Sequence, residues 1–582
     1  MRLKKPAVAL ATAALMSLAA CGGGSGGGTA DDQPTKLAEG GGAGTGKDPE
    51  AKGPVPVPEE AQEGGTLTVL TLNVPSTLDP TQAYYTDSVG IMNLVTRALT
   101  QYSYDEETGK MVLVPDMATD LGRPNEDNTE WTFTLREGLK YEDGTDVKAE
   151  DIAYAIKRSF AIEELPDGPT YNTTYFLDGD KYKGPFQDKG EYKGVVVDGN
   201  DITIKMRTPF TDMDYYASFP SFTAIPESKD NPETYGKKPL ATGPYKFEDY
   251  KPGTSLTLVK NDQWDPNTDP GRLQAVDGWN FKFGQDQAKD ENIILNDNGT
   301  AQTTLSYDDV SPATYRQIQS DKDRLVTGTS PCTFMWYIDM TKITNKDVRT
   351  ALGHAFPYKN YYRASGEITG VTRDPGTSIL PPGTAGRQEF DVLGNKGIET
   401  DAAKSKELLK KAGEEGFEIK FLFSTDDPLA VDGKDEIVKG LEAGGFKASP
   451  IASSTETIRT DRTKYDSPIN VRSTGWCSDW PSGGSWFPAQ WAGELVGLEG
   501  MPNPANFKEA DADAKQKEIQ SLSPDEAAAG WGEFDKFIME KYYPAVVLGY
   551  DGTAMIRGSK VGGMFNDEVL GMPTFDLMYV TQ

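Results

Sequence analysis

Trp131-Thr132-Phe133-Thr134-Leu135-Arg136 opens the most informative block of this sequence, which continues as far as Asp143-Gly144. Trp131, Phe133 and Leu135 alternate with polar residues, the pattern of a strand that buries one face. Asp143-Gly144 is typical of a tight turn, because glycine accepts backbone angles that other residues avoid. From Ala149-Glu150-Asp151 onward the block predicts a helix, since acidic residues in the first turn suit the helix dipole.

Residues on the N-terminal side of this block predict a similar mixture of elements. Residues 66–72 alternate apolar and polar side chains, as a half-buried strand does. Residues 91–99 carry apolar side chains at the spacing of one helix face. The chain is therefore predicted to belong to the α/β class.

Motifs along most of the chain resemble, in the same order, those of the solute-binding proteins of ABC importers, family 5, the peptide and nickel type. The block at 131–151 is similar to the family's Trp-Thr-Phe-x-Leu-Arg, Asp-Gly-Thr-x-Val and Ala-Glu-Asp elements. Further similar elements are Thr242-Gly243-Pro244-Tyr245-Lys246, Lys260-Asn261-Asp262-Gln263-Trp264, Asp347-Val348-Arg349-Thr350-Ala351-Leu352, and a helix at 402–416 followed by a strand at 419–423. By this resemblance the chain is identified as a member of that family.

Two segments that contain cysteine resemble the oligopeptide-binding lipoproteins of the family. Cys332-Thr333-Phe334-Met335-Trp336-Tyr337 resembles their Cys-Thr-aromatic strand, and Gly475-Trp476-Cys477-Ser478-Asp479-Trp480 resembles their Gly-Trp-Cys-Ala-Asp-Tyr segment. The resemblance implies a disulfide between Cys332 and Cys477, which an exported, oxidising compartment favours. It also implies that Asp479 binds the α-ammonium group of a peptide by a charge-assisted hydrogen bond. The alternative is that Asp479 is a surface acid that caps the turn before Pro481.

Tryptophan is concentrated around this predicted anchor. Four of the nine tryptophans, Trp476, Trp480, Trp486 and Trp491, lie within sixteen residues. Aromatic walls suit a cleft that accepts varied apolar side chains, so Trp476 and Trp480 are candidate ligand residues, together with Gly475 and Cys477 of the same segment. We expect Trp486 and Trp491 to fill the core of a lobe instead.

Three further candidates for ligand binding lie elsewhere in the sequence. Tyr84 and Tyr85 follow Leu78-Asp79-Pro80, where the family's first lobe faces the ligand. Arg472 lies five residues before Cys477, one more than the arginine of the oligopeptide binders. The pocket is therefore expected to differ in specificity from that of the better-known peptide binders.

The resemblance implies a two-lobed, periplasmic-binding-protein-like fold (type II, cluster C) with an extra subdomain inserted in lobe I. We expect lobe I to comprise residues 64–105, 206–330 and 547–582, with residues 106–205 as the inserted subdomain. Lobe II is expected at residues 331–546. Two or three crossings between the lobes predict a hinge that closes around a ligand.

The N-terminus has the pattern of a lipoprotein signal. Residues 1–20 contain a basic start and an apolar run that is too short to span a bilayer, and they end in Leu-Ala-Ala before Cys21. The pattern predicts cleavage before Cys21 and lipidation of its sulfur. The alternative is an ordinary signal cleavage beside a chance cysteine. Residues 21–63, rich in glycine and proline, are predicted to be a disordered tether.

Composition restricts the partners. The formal net charge of −30 disfavours phosphate backbones and anionic lipid surfaces, so no nucleic acid and no membrane contact other than the lipid anchor are expected. The resemblance implies a peptide ligand, an ABC permease and its cytoplasmic ATPase as partners. The protein is expected to act as a monomer outside the cytoplasm, held at the cell membrane by its lipid.

Enzymatic catalysis finds little support in the sequence. His354 is the only histidine, which excludes a cluster of several imidazoles, and no catalytic serine pattern occurs outside the tether. We predict that the protein is not an enzyme and that it holds neither cofactor nor metal.

Three functions stay open at this stage. The first is the capture of peptides, expected to be oligopeptides, for import. The second is the capture of another small solute, such as a metal chelate or a sugar, by the same class of protein. The third is an exported enzyme, or a chaperone or signalling module that binds peptides.

Overall fold

A computed structural model of the protein describes residues 45–498 and 500–582. The predicted signal peptide, the lipidation site Cys21 and the first part of the tether, up to residue 44, lie outside the described residues. None of the helices in the described ranges is long and apolar enough to cross a membrane.

The strands of the described chain vary widely in length. In chain order they are β1 (Gly46–Lys47), β2 (Ala61–Gln62), β3 (Thr66–Leu70), β4 (Thr100–Asp105), β5 (Lys110–Pro115), β6 (Arg123–Pro124), β7 (Glu130–Thr134), β8 (Val195–Asp198), β9 (Asp201–Lys205), β10 (Tyr245–Lys251), β11 (Ser255–Lys260) and β12 (Gly278–Lys282). They continue with β13 (Thr304–Ser306), β14 (Leu325–Ile338), β15 (Arg373–Asp374), β16 (Glu418–Ser424), β17 (Lys447–Ser453), β18 (Val471–Cys477), β19 (Ala545–Ile556), β20 (Val561–Gly562), β21 (Asn566–Asp567), β22 (Met572–Pro573) and β23 (Tyr579–Thr581).

The helices alternate with these strands along the chain. They are α1 (Thr86–Val95), α2 (Ala149–Arg158), α3 (Tyr171–Tyr175), α4 (Met213–Tyr216), α5 (Gln287–Asn296), α6 (Pro312–Ile318), α7 (Lys346–Ala355), α8 (Tyr358–Ala364), α9 (Ala402–Ala412), α10 (Pro428–Ala443), α11 (Ile458–Arg462), α12 (Phe487–Gln490), α13 (Ala510–Gln520) and α14 (Pro524–Lys541).

Lobe I is built on a five-stranded mixed sheet in the order β10-β11-β12-β3-β13. The predicted strand at 66–72 appears as β3, which pairs in parallel with both β12 and β13. Its Leu67 and Val69 are fully buried, as their alternation with polar residues predicts. They pack with the apolar face of α1 in one core.

The inserted subdomain contains the block with which the sequence analysis began. Trp131 and Phe133 lie on β7, which belongs to an antiparallel sheet in the order β6-β7-β9-β8. Both rings are buried against Ile152 and Ile156 of α2. The strand, the turn and the helix predicted there are all present.

Lobe II surrounds an antiparallel sheet in the order β15-β19-β14-β18. Strands β14 and β19 are long enough to serve both lobes: Met555 packs in the core of lobe I, and Met335 and Val546 pack in that of lobe II. They therefore form two of the expected crossings. The two-lobed α/β fold is confirmed, whereas the exact domain boundaries stay predictions.

The predicted tether differs from the structure at its C-terminal end. Within residues 45–63, β1 pairs in parallel with β5 and β2 pairs with β23. The expectation of disorder is therefore wrong for this part of the tether. The physical reason is that short runs between the prolines and glycines complete the edges of two small sheets, where backbone groups need partners.

Candidate ligand-binding site

The two cysteine segments lie side by side in the structure. Strand β18 is an edge strand of the lobe II sheet and pairs antiparallel with β14, so that Cys332 lies directly opposite Cys477. A disulfide joins them, with the two Cα atoms 3.9 Å apart. The bridge fixes the end of β18, and the loop that carries Asp479 follows immediately.

The Asp479 carboxylate is bound by two phenols from the other side of the cleft. The Tyr84 hydroxyl donates to Oδ1 of Asp479 over 2.8 Å. The Tyr171 hydroxyl donates to Oδ2. By the predicted domain ranges, Asp479 lies in lobe II, Tyr84 in lobe I and Tyr171 in the subdomain, so these bonds would join the lobes across the predicted cleft.

The electrostatics of this carboxylate are unusual. Burial raises the pKa of Asp479 to about 6, and the hydrogen bonds from Tyr171 and Tyr84 offset only part of that rise. Among the described residues, no lysine, arginine or histidine forms an ion pair with it. Burial, together with the negative charge of Asp479, raises the pKa of both tyrosines well above the ordinary value, so both phenols stay neutral donors.

The turn before Tyr84 is held by a buried ion pair. Arg158 of α2 binds both carboxylate oxygens of Asp79, at 2.6 and 2.7 Å, and its Nε donates to Asp230 over 2.8 Å. A bidentate arginine–carboxylate pair fixes orientation as well as distance. The Leu78-Asp79-Pro80 turn is thereby fastened to the subdomain, which sets the position of Tyr84.

Trp480 does not line an open cleft, contrary to the sequence-based prediction. Its ring is 1% exposed and packs in the core of the subdomain, with its centroid 4.8 Å from that of Tyr171. Its indole N–H donates to Asp212 Oδ2 over 2.8 Å. We call Trp480 the plug, because its side chain extends from lobe II into the core that contains residues of the subdomain. This burial is favourable, since the ring is removed from water while its N–H keeps a hydrogen-bond partner.

The structure does not place Arg472 at the predicted ligand site either. It is fully buried, and its guanidinium binds Asp339 at 3.0 Å and the backbone oxygens of Arg462 and Pro504. These contacts all lie inside lobe II. The extra residue between Arg472 and Cys477 gives the physical reason, since a shift of one position along a strand turns a side chain to the opposite face.

The other tryptophans follow the sequence analysis. Trp486 and Trp491 are fully buried in the core of lobe II, as expected. Trp476 is half-buried, and its indole N–H donates to the backbone oxygen of Ser485 over 3.1 Å. Gly475 and Cys477 lie on the same edge strand, β18, four and two residues before Asp479, so that Cys477 is the nearer of the two along the chain.

Two further residues complete the description of the site. Tyr85 is half-buried; burial raises its pKa, and the charge of Asp167 raises it further, while Arg459 of lobe II lowers it. Tyr171 is a member of the site that the sequence analysis missed. The only signal was the aromatic spacing of Tyr171 and Tyr175 on α3, which is equally typical of a core helix.

Neither a metal centre nor a catalytic group emerges in the part of the chain that the structure describes. No group of three potential metal ligands comes together there. His354 lies on α7 with most of its surface covered, and burial lowers the pKa of its imidazole. A cavity of about 820 Å³ in the described part of the chain is lined mainly by residues 374–396, and Asp479 is not among its lining residues.

Relatives of known function share parts of this sequence. The chain is 23% identical over 351 residues to the dipeptide-binding protein DppE of Bacillus subtilis, covering 59% of this chain and 61% of the relative. It is 29% identical over 250 residues to the oligopeptide-binding protein OppA of the same organism, covering 41% of this chain and 43% of the relative. The matched segment thus spans less than two thirds of either relative. Both are binding proteins, not enzymes.

The fold is shared with solved structures. The structure of clavulanic acid biosynthesis oligopeptide binding protein 2 superposes with a TM-score of 0.82 at 24% identity, covering 93% of this chain and 99% of that one. The sequence model of the bacterial extracellular solute-binding proteins, family 5, matches residues 112–494. This match covers more than half of the 582 residues. The chain therefore belongs to family 5 of the bacterial extracellular solute-binding proteins.

Proposed function

We propose that this protein captures peptides outside the cytoplasm for an ABC importer, with Asp479 as the anchor for the peptide's α-ammonium group. One observation carries the proposal: the carboxylate of Asp479 lies between the lobes with neutral phenols as its hydrogen-bond donors and no cationic partner among the described residues. Asp479 is half-buried, and a carboxylate that loses hydration is commonly paired with a cation. The buried Asp269, for comparison, is paired with Arg272 at 3.1 Å.

The backbone next to the anchor supports a peptide rather than a compact solute. Strand β18 ends two residues before Asp479 and is an edge of its sheet, with β14 on one side. An extended peptide can pair with such an edge through main-chain hydrogen bonds that do not depend on its sequence. A peptide that pairs antiparallel with β18 would have its amino end near Asp479, since β18 runs towards that residue.

The relatives point to the same ligand class. The two Bacillus relatives are named for binding dipeptides and oligopeptides, and the solved structure is named an oligopeptide binding protein. Delivery to a membrane permease driven by a cytoplasmic ATPase is the part of the proposal that rests on family membership. Anchoring through a lipid on Cys21 rests on the sequence alone.

The proposal is tested by thermal shift on the chain with Cys21→Ser, using peptides of two to six residues and their N-acetylated twins. A ligand at a hundredfold excess over Kd stabilises the folded state by about 2.7 kcal/mol, which a melting curve detects. We expect shifts with the free-amine peptides and none with the acetylated peptides. Equal shifts with both sets would remove Asp479 as the anchor, and no shift with any peptide would contradict peptide capture.

A further inference from the structure

The C-terminal part of the predicted tether contacts the protein near Asp212, the residue that accepts a hydrogen bond from Trp480. We call residues 45–52 the strap. Its β1 lies against β5, and the backbone N–H of Asp48 donates to Leu113 O over 3.0 Å. Lys47 Nζ lies 2.6 Å from Oδ2 of Asp214 and 4.3 Å from the centroid of the Tyr215 ring. A residue of the predicted tether therefore forms an ion pair with Asp214, which lies in the predicted range of lobe I.

The partner of Lys47 is one of two buried carboxylates that lie close together. Asp214 of α4 and Asp212, directly before α4, are 5% and 6% exposed. Burial raises the pKa of each carboxyl group, and the charge of Lys47 lowers both. Two buried carboxylates repel each other unless a cation compensates them, so Lys47 reduces the cost of this arrangement.

These carboxylates lie where the lobes meet. Asp212 accepts the indole N–H of Trp480, the residue that follows the proposed anchor. Burial raises the pKa of Tyr215, and the charges of Asp214, Asp212 and also Asp525, on α14 of lobe II, raise it further. Carboxylates from both lobes thus act on the one ring over which Lys47 lies. Trp480 of lobe II covers Asp212, so without a cation beside Asp212 and Asp214 the cost of burying these two charges would oppose the approach of the lobes.

We propose that Lys47 is a positioning residue for ligand capture, because its ammonium group offsets the buried carboxylates of Asp214 and Asp212, the second of which binds Trp480 of lobe II, and so favours the closed arrangement of the lobes. The inference rests on the proposed function only insofar as closure serves peptide binding. Lys47 touches neither Asp479 nor its two tyrosines in the described contacts. It acts through Asp214 and, by way of Asp212, on Trp480.

The first experiment needs no ligand. Small-angle X-ray scattering of the chain with Cys21→Ser is compared with the same chain carrying Lys47→Met, which keeps the length of the side chain and removes its charge. We expect a larger radius of gyration for Lys47→Met. Lys47→Arg retains the cation and should match the parent, and so should Lys52→Met, an exposed lysine of the same strap. Circular dichroism confirms that each variant is folded.

The second experiment measures the Kd of trialanine by calorimetry on the same variants. We expect a Kd weaker by up to about tenfold for Lys47→Met, since the change leaves the buried Asp214 without its cation, while the Lys47 side chain itself is 29% exposed and its ion pair is partly screened by water. Adding Asp214→Asn to Lys47→Met should restore most of the affinity, because it removes the charge that is left without its partner. This recovery separates an electrostatic role from a merely structural one.

The outcomes distinguish this inference from the proposed function. A more open shape or a weaker Kd for Lys47→Met, with Lys47→Arg and Lys52→Met unchanged, supports the role of Lys47. If Lys47→Met is more open than the parent but neither the parent nor any variant binds trialanine, the role of Lys47 in closure is supported and peptide capture is contradicted. If Lys47→Met matches the parent in both measurements, or if Lys47→Arg behaves like Lys47→Met, the inference is overturned.

Discussion

At the scale of single residues, Asp479 combines a raised pKa with hydrogen-bond donors that carry no charge. Its carboxyl group is buried enough to raise the pKa to about 6, and its hydrogen bonds come from the neutral phenols of Tyr84 and Tyr171. A carboxyl group whose pKa is higher in the folded than in the unfolded chain destabilises the fold when it is ionised. The ionised Asp479 therefore lowers the free energy of unfolding, and a bound cation would remove this destabilisation.

Replacing this carboxylate with an amide should stabilise the protein at neutral pH. For Asp479→Asn we expect a higher melting temperature at pH 8, equivalent to about 3 kcal/mol, from the rise in pKa above the ordinary value near 3.9. The folded chain binds more protons between about pH 4 and pH 6, so the advantage shrinks as the pH falls and disappears near pH 4. Melting curves from pH 4 to pH 8 measure this, with the exposed Asp432→Asn as control. If Asp479→Asn and the parent melt at the same temperature at pH 8, the ionised Asp479 does not destabilise the fold.

The same group predicts how peptide affinity depends on pH. Binding needs an ionised Asp479 and a protonated amine, whose pKa in peptides is about 8. Affinity should be highest between about pH 6 and pH 8 and fall by up to about tenfold for each unit below pH 6. Titration calorimetry from pH 5 to pH 9 tests this. A flat profile over that range would exclude the ammonium–carboxylate pair.

The residues of the candidate site also show which of its contacts can be predicted from the sequence and which cannot. Asp479 and Tyr84 are recognisable from local motifs and do lie together, at 2.8 Å. Tyr171 is 308 positions away from Asp479 and lies in a short helix, so no local pattern connects the two. Arg472 was misassigned because a motif shifted by one position still looks alike in sequence, whereas its side chain points into lobe II.

At the scale of elements, periodic patterns gave reliable predictions. Strand β7 and helix α2 bury the side chains that their alternation and helical spacing indicate. The strap was missed for the opposite reason: β1 is two residues long and carries no periodicity, so only its partner β5 defines it as a strand. Short segments take their structure from what they contact, and the sequence of the segment alone does not contain that information.

The disulfide between β14 and β18 should matter for stability and for binding. The bridge closes a loop with a sequence separation of 145 residues, and its loss should destabilise the fold by up to about 5 kcal/mol in the chain-entropy model. For Cys332→Ser with Cys477→Ser we expect a lower melting temperature and weaker peptide binding, because the loop that carries Asp479 is less ordered beforehand. A reducing agent should lower the melting temperature of the parent to that of the double variant. No response of the parent to reduction would show that the bridge does not stabilise it.

At the scale of the whole molecule, both lobes must approach closely for the site to form. Lobe II contributes Asp479 and the Trp480 plug, and the opposite face contributes Tyr84, Tyr171 and Asp212. The hydrogen bonds from the two tyrosines to the carboxylate therefore connect the two sides of the cleft in this arrangement. Ligand binding and lobe closure are therefore expected to depend on each other, as in other proteins that close around a ligand by a hinge.

A single methyl group between the lobes should keep this arrangement from forming. Gly484 lies directly against the Asp212 carboxylate, and a Cβ atom at this position would clash with Oδ2, the oxygen that accepts the indole N–H of Trp480. For Gly484→Ala we expect a more open molecule in small-angle scattering and a Kd for trialanine that is weaker by about tenfold or more, because the clash must be relieved each time the lobes close. The melting temperature should change little, since the clash is absent when the lobes are apart.

Gly190→Ala is the matched control, because a Cβ atom there meets nothing within 4 Å. It should leave scattering, Kd and melting temperature at the values of the parent. If Gly484→Ala binds trialanine as tightly as Gly190→Ala, the contact between Asp212 and the loop at Trp480 is not required for binding. The two lobes would then capture the peptide without the close approach that brings Tyr84 and Tyr171 to Asp479, and the anchor would have to act from lobe II alone.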